Sequence, residues 1–285
     1  MTSSIAATSN ETGFIRRLLR SPSGLIGASG VLLIFAIALL APLIAPYDPI
    51  LQETANRLAP PGALHLLGTD AFGRDILSRL IYGARPTMAL LLFVILIMAP
   101  LGITIGVFAG YFGGYIESIL MRLTDIVMSF PRLLLAFAFV AIIGPGLING
   151  ALALALTSWP AYARQARVET TALRRSDYLA AAEMLGIRGI RLLWGHVLPL
   201  VLPSAIIRLA LDMSGMILAA AGLGFLGLGV RPPTAEWGTM VAGGTEVIFD
   251  QWWVAAAPGF AILIASLAFN LLADGLRDVM DPRND

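Results

Sequence analysis

Apolar residues fall along this chain in long blocks, and the polar residues collect between them. A hydrocarbon layer of about 30 Å needs about 20 apolar residues in a helix, so each block is read first as a possible membrane span. The first runs from Gly24 to Ile44. From Ala45 to Arg85 the chain turns polar and carries Pro46, Pro49, Pro60 and Pro61, a composition no span tolerates. Towards the end of that stretch Ile76, Leu77, Leu80, Ile81 and Ala84 recur at helical spacing, while Asp75 and Arg79 sit four apart on another face. This predicts a short interfacial helix leading into a second span over Met88 to Phe108, which stops at the glycine-rich turn Gly110 to Gly114.

A third helix starts near Tyr115, carries Arg122 and Asp125, and is expected to kink or break at Pro131 before the apolar stretch Leu133 to Ile143. Gly144, Pro145 and Gly146 form a turn, and a fourth span runs from Leu147 to Tyr162. Two more blocks, Ile206 to Leu228 and Val254 to Leu272, are separated by a polar loop holding Arg231, Pro232, Pro233, Glu236 and Trp237. The pattern therefore predicts an all-α membrane protein with about six transmembrane helices.

Composition supports that class. Hydrophobic residues make up 58% of the 285 residues, charged residues 13%, and mean hydropathy is +0.82, against about 25% charged in a soluble domain. All 19 basic residues are arginine, so a phosphate-binding loop ending in lysine is excluded, and nothing points to nucleic acid. Cysteine is absent, which removes disulfides and thiolate metal sites, and His65 and His196 lie far apart. No nucleophile with a paired base stands out, which disfavours an intramembrane hydrolase.

Arginine placement sets the expected orientation. Arg16, Arg17, Arg20, Arg164, Arg167, Arg174, Arg175, Arg188, Arg191, Arg277 and Arg283 fall on one side; Arg57, Arg74, Arg79, Arg85 and Arg231 fall on the other. The richer side is cytoplasmic, which puts both termini there. The first block is too long for a signal-peptide core, and Pro42 and Pro46 stand where cleavage would occur, so it reads as an uncleaved span.

The connection between the fourth and fifth spans is about forty residues long, far more than a link requires. It reads as two short helices joined at an elbow. Ser176 or Asp177 caps the first, Tyr178 to Leu185 favour helix, and Gly186 ends it. Ile187 to Gly189 form the elbow, and a second helical stretch from Ile190 to His196 is expected to end at Pro199. Ala180, Ala181 and Ala182 offer a compact surface that lets a partner backbone come close.

This segment resembles the EAA loop of bacterial ABC importer permeases, a Glu-Ala-Ala step followed by Gly and then by Leu-Pro. Ala181, Ala182, Gly186, Leu198 and Pro199 match that pattern, Ala180 occupies the Glu position with Glu183 nearby, and Leu200 stands where Asn is frequent. Three further segments resemble the shorter permease type of the dipeptide, oligopeptide and nickel importer family. They are Leu67-Gly68-Thr69-Asp70 with Gly73-Arg74-Asp75 and Gly83-Ala84-Arg85; Phe225-Leu226-Gly227-Leu228-Gly229 with Pro232-Pro233 and Trp237-Gly238; and Asp274-Gly275-Leu276-Arg277-Asp278 with Asp281-Pro282.

The resemblance implies a type I ABC importer permease fold, with a five-helix core preceded by one extra N-terminal span, in the bacterial inner membrane. It divides the chain into a cytoplasmic tail over 1–23, the first span and external loop over 24–84, the core over 85–274 with its coupling loop at 164–200, and a tail over 275–285. It implies a homologous second permease, two ATPase subunits that carry ATP and Mg, and an external substrate-binding protein. This chain itself then holds no cofactor and catalyses nothing. Tyr178, Ala180, Ala181, Ala182, Glu183, Gly186, Leu198 and Pro199 are the implied ATPase-coupling residues. Asp70, Arg74, Asp75, Pro232, Pro233 and Trp237 would face the binding protein, although local packing explains their surroundings as simply.

Arg122 with Asp125, and Arg208 with Asp212, are spaced so that each pair can neutralise itself, while a charge inside a span is also a pathway candidate. Asp212 is the best single candidate for lining the path. Met213, Met216 and Met240 read as packing rather than a soft-metal route. Family association favours di- or oligopeptides as cargo, with nickel or another small solute as the alternative; a stand-alone secondary transporter would show internal repeats that are not evident.

Overall fold

The computed structural model describes residues 16–280, so residues 1–15 and 281–285, among them Asp281, Pro282 and Arg283, lie outside the described residues. Among the described residues the regular secondary structure is helical. Helix α1 spans Pro22–Ile44; its first turn is capped by Ser21, whose hydroxyl accepts from the Gly24 N–H, with Pro22 at a position where no N–H is required. After the loop to Asp75 come α2 (Ile76–Phe112), α3 (Gly114–Met128), α4 (Arg132–Ile143) and α5 (Leu147–Leu173). Then follow α6 (Asp177–Met184), α7 (Ile190–Leu192), a π turn over Leu193–Val197, α8 (Leu198–Phe225), α9 (Trp237–Thr245) and α10 (Trp253–Met280).

Among the described residues, four helical stretches are long and apolar enough to cross a membrane: Pro22–Ile44, Ile76–Phe112, Ile190–Phe225 and Trp253–Val279. A fifth arises if α3 and α4, bent by 87° at their break, form one span. That break falls at Pro131, as the sequence predicts. Helix α5 is not among the qualifying helices; its second half carries Arg164, Gln165, Arg167 and Glu169. The all-α membrane class stands, and length with apolarity alone supports four or five spans rather than six.

Four features differ from expectation. No separate interfacial helix precedes the second span, because α2 runs unbroken through Pro86 and Pro100 for 37 residues, about 55 Å at 1.5 Å per residue. The turn before Pro86 is supported by the Thr87 hydroxyl, which donates to the Gly83 carbonyl at 2.9 Å. Pro199 does not end a helix: it sits in the first turn of α8, just after the π turn, where Leu198 N–H reaches back to the Leu193 carbonyl. A wider turn there accommodates a ring that has no N–H and would crowd the carbonyl four residues back. Helix α9, inside the loop between the last two blocks, was not expected, and α10 continues to Met280.

The chain divides into two compact units. The first holds residues 16–89, 145–147 and 210–280 of the described chain. Within it α1 lies against α10 at glycine-limited distance: a Cβ on Gly27 would come within 2.1 Å of Leu272 N, and one on Gly30 within 2.9 Å of the Ala268 Cβ. The second unit holds residues 90–144 and 148–209. There Gly102, Gly106 and Gly110, one turn apart, bring α2 onto α5, where an added Cβ would meet the carbonyls of Trp159, Ala163 and Arg167 at 2.5, 2.3 and 2.7 Å. Close backbone approach of this kind is how helices gain dispersion contacts where lipid offers no hydrophobic drive.

Candidate functional site

In the second unit, the loop between α5 and α8 has the predicted two-helix form. The Ser176 side chain accepts from Leu179 N–H and starts α6. The helix ends with Gly186 N–H bonded to the Glu183 carbonyl at 3.0 Å and Ile187 N–H to Ala182 at 3.1 Å. This paired closure requires a left-handed residue, and Gly186 has φ +84°. Gly189, φ +60°, then turns the chain into α7.

Helix α6 buries Leu179 and Ala182 and exposes Tyr178, Ala180, Ala181 and Glu183. The expected three-alanine surface is therefore two alanines wide, since Ala182 lies on the inward face with Leu179 at helical spacing. What the sequence did not single out is the apolar tip: Met184 is 91% exposed and Leu185 82%, with Ile190 and Trp194 also exposed. Tyr178 hydroxyl meets His196 Nδ1 at 2.8 Å, tying α6 to the π turn across the elbow. Leu198 is half-buried and Pro199 exposed at the start of α8.

The two helices flanking this loop are joined by a line of polar contacts. Ser204 Oγ donates to Glu169 Oε2 at 2.6 Å, Gln165 Nε2 donates to Glu169 Oε1 at 3.0 Å, and Arg208 Nη1 reaches Gln165 Oε1 at 3.4 Å. The Arg208 guanidinium also lies 5.4 Å from the Tyr162 ring centre. Asp212, one turn further along α8, is half-buried. Asp125 does not rely on Arg122 as the i,i+3 spacing suggested: it pairs with Arg164 at 2.7 Å, and Glu117 pairs with Arg167. Both bridges line an open groove of about 590 Å³ together with Arg122.

In the first unit, the six residues expected to face outwards gather with others into one polar cluster. Asp75 caps α2: its Oδ2 accepts from Ser78 N–H and Ser78 Oγ, each at 2.7 Å, and its Oδ1 meets His65 Nδ1 at 3.0 Å. Asp70 accepts from the backbone N–H groups of Phe72 and Arg74 and from Arg74 Nε at 2.7 Å. Arg79 is paired with Asp70, at 3.5 Å, rather than with Asp75. Its Nη1 donates to the Pro49 carbonyl at 2.9 Å and to that of Pro233 at 3.5 Å.

The second loop completes the cluster. Trp237 Nε1 donates to the Leu80 carbonyl at 2.9 Å, and its indole lies where a Cβ on Gly83 would stand. Glu236 caps α9 through Gly238 and Thr239 N–H, both at 2.8 Å. Burial pushes its carboxyl above the ordinary carboxylate range, outweighing these hydrogen bonds, which act in the opposite direction. Asp70, Asp75 and Trp237 are thus buried and hold the cluster together, whereas Pro232 and Pro233 are exposed and Arg74 is half-buried.

Long apolar helices joined by two organised loop regions fit a membrane-spanning protein, and its family follows from the sequence comparisons. Residues 102–285 match the binding-protein-dependent transport system inner membrane component family, to which this chain belongs. Residues 12–61 match the N-terminal transmembrane domain of oligopeptide transport permease C. The di/tripeptide transport system permease protein DppC of Pseudomonas aeruginosa is 45% identical over 95% of this chain and 91% of its own length. The probable D,D-dipeptide transport system permease protein DdpC of Escherichia coli is 39% identical over 96% and 92%, and the dipeptide transport system permease protein DppC of the same organism is 43% identical over 93% and 90%.

Proposed function

We propose that this chain is the permease subunit of an ATP-binding-cassette importer, forming half of the translocation path for di- or oligopeptides. The observation that carries this reading is its near full-length likeness to permeases named for di/tripeptide and dipeptide transport. A homologous second permease supplies the other half of the path, two ATPase subunits bind ATP and Mg beneath it, and an external binding protein delivers the cargo. Both termini are cytoplasmic in this reading, in keeping with the arginine bias.

The loop from Ser176 to Pro199 is the handle. Its exposed Met184 and Leu185 offer an apolar tip to a groove on one ATPase, a contact worth about 1.5–3 kcal/mol per side chain fully buried. The closure at Gly186 fixes the angle between α6 and α7. The Ser204–Glu169–Gln165–Arg208 line ties α5 to α8, so a pull on the loop moves both flanking helices together. Arg208 and Asp212 then carry charge towards the passage, and Arg122 with Asp125 sits in the groove at α3.

Gly186→Leu tests the handle. Nothing lies within 4 Å of a Cβ at Gly186, so the variant meets strain at positive φ without a clash. Normal insertion with uptake reduced at least tenfold is the expected result, measured with labelled dipeptide in cells and ATP hydrolysis in the purified complex. Unaltered uptake together with unaltered ATPase stimulation would refute the coupling role.

A further inference from the structure

We propose that a cavity on the polar loop cluster is a carboxylate-binding pocket, and that an acidic side chain of the delivering protein occupies it. The cavity, about 350 Å³, is lined by Arg57, Arg74 and Arg79 with Asp70, Phe72 and Glu246. Its lining also includes the apolar Ile76 and Met240.

Each guanidinium is fixed through its Nε. Arg57 Nε donates to the Ala71 carbonyl at 2.7 Å, Arg74 Nε to Asp70 at 2.7 Å, and Arg79 Nε lies 3.5 Å from the same carboxylate. Arg79 uses Nη1 on the carbonyls of Pro49 and Pro233. The terminal nitrogens of Arg57 and Arg74 donate to no group among the described residues. Two forks are thus held by their inner nitrogen while their outer nitrogens remain available, the arrangement that grips a carboxylate in bidentate fashion.

The charges already present do not fill that role. Asp70 is occupied by two backbone N–H groups and by Arg74 and Arg79, and Glu246 is exposed at the edge. Arg74 is further steadied by the Phe72 ring, 4.7 Å from its guanidinium carbon. Phe72 is 53% exposed, and Phe249, three residues beyond Glu246, is 99% exposed. A charged centre beside the exposed Phe72 ring is the anatomy of a protein docking site. The cavity holds one or two side chains, which favours an acidic residue of a partner over a whole peptide.

The proposal rests on the importer reading above, and its test separates the two. Affinity of the delivery protein is measured for the assembled transporter in lipid nanodiscs at several salt concentrations. Arg57→Ala and Arg74→Lys, which keeps the charge but removes the fork, should each weaken binding by roughly tenfold or more. Arg57→Glu should weaken it further, and an acidic-to-basic replacement on the delivery protein should restore it. Unchanged affinity in both Arg57→Ala and Arg74→Lys overturns the pocket. So does a defect that leaves delivery-protein binding intact but distinguishes peptides with free from amidated C-termini, since the carboxylate would then be the cargo's. If the unsubstituted transporter fails to bind any delivery protein, the importer reading itself falls.

Discussion

The polar cluster around α2 and α9 and the loop between α5 and α8 are both long connections, yet they are built by opposite means. The cluster buries charge: Asp70, Asp75, Arg79 and Glu236 are each enclosed and each answered by several partners. The α5–α8 loop buries no charge; it turns Leu179, Leu192, Leu193 and Val197 inwards and leaves an apolar tip in solvent, with Met184 and Leu185 almost fully exposed. Its glycines Gly186, Gly189 and Gly195 have nothing within 4 Å of an added Cβ, whereas a Cβ on Gly73 would lie 1.9 Å from the Glu53 carbonyl and one on Gly224 2.1 Å from Glu236. The first region holds one shape by over-determination. The second leaves a surface unsatisfied until a partner covers it.

If that contrast holds, the largest effect on folding should come from the cluster. Asp75→Ala removes the cap of α2 and strands His65 and Ser78 in a buried setting. Breaking a buried, charge-assisted network of this kind costs about 3–5 kcal/mol. The variant should be depleted from membranes and melt well below the parent in detergent. Parental levels and an unchanged melting temperature would show that the cluster is decoration rather than scaffold.

A smaller effect, confined to the same region, is expected from pH. The Glu236 carboxyl has a raised pKa in the folded chain, so the folded state holds the proton more tightly than the unfolded one. Its contribution is complete below the ordinary carboxylate range and declines as pH rises through the folded value. The thermal unfolding temperature should therefore fall gradually on moving upwards from about pH 4.3, the unperturbed glutamate value. Glu236→Gln should flatten that dependence while lowering stability throughout, because one amide oxygen cannot replace both carboxylate oxygens at Gly238 and Thr239. An identical pH slope in the variant would assign the dependence to another group.

The same contrast explains what could be read from sequence. The α5–α8 loop was legible because its determinants are local: a Ser cap, a helix and a glycine stop lie within eleven residues, Ser176 to Gly186. The cluster was legible only as a set of motifs. The four-residue spacing of Asp75 and Arg79 did not reveal their partners, because Asp75 precedes the helix as its cap and its carboxylate is used there. Helix α9 escaped because its cap is Glu236, a residue seldom found in that role, and its neighbours Gly243 and Gly244 argue against helix. The seam of Gly102, Gly106 and Gly110 was present at every fourth position, but its partner on α5 lies 57 residues further on and no local rule names it.

The smallest expected effect on folding is the sharpest test of the comparison. Leu185→Asp places a charge on a side chain that is already 82% exposed and makes no hydrogen bond through its side chain. Surface substitutions of this kind shift stability by about 0.5 kcal/mol or less, so insertion and melting should match the parent. A partner groove that receives an apolar tip must instead desolvate a carboxylate, which costs several kcal/mol when no counter-charge is supplied. Peptide uptake and recovery of the ATPases with the permease should therefore both collapse while the isolated chain remains intact. Should Leu185→Asp destabilise the permease as severely as Asp75→Ala, the exposed tip would be a packing element of the fold, and the division between a self-sufficient cluster and a partner-dependent loop would fail.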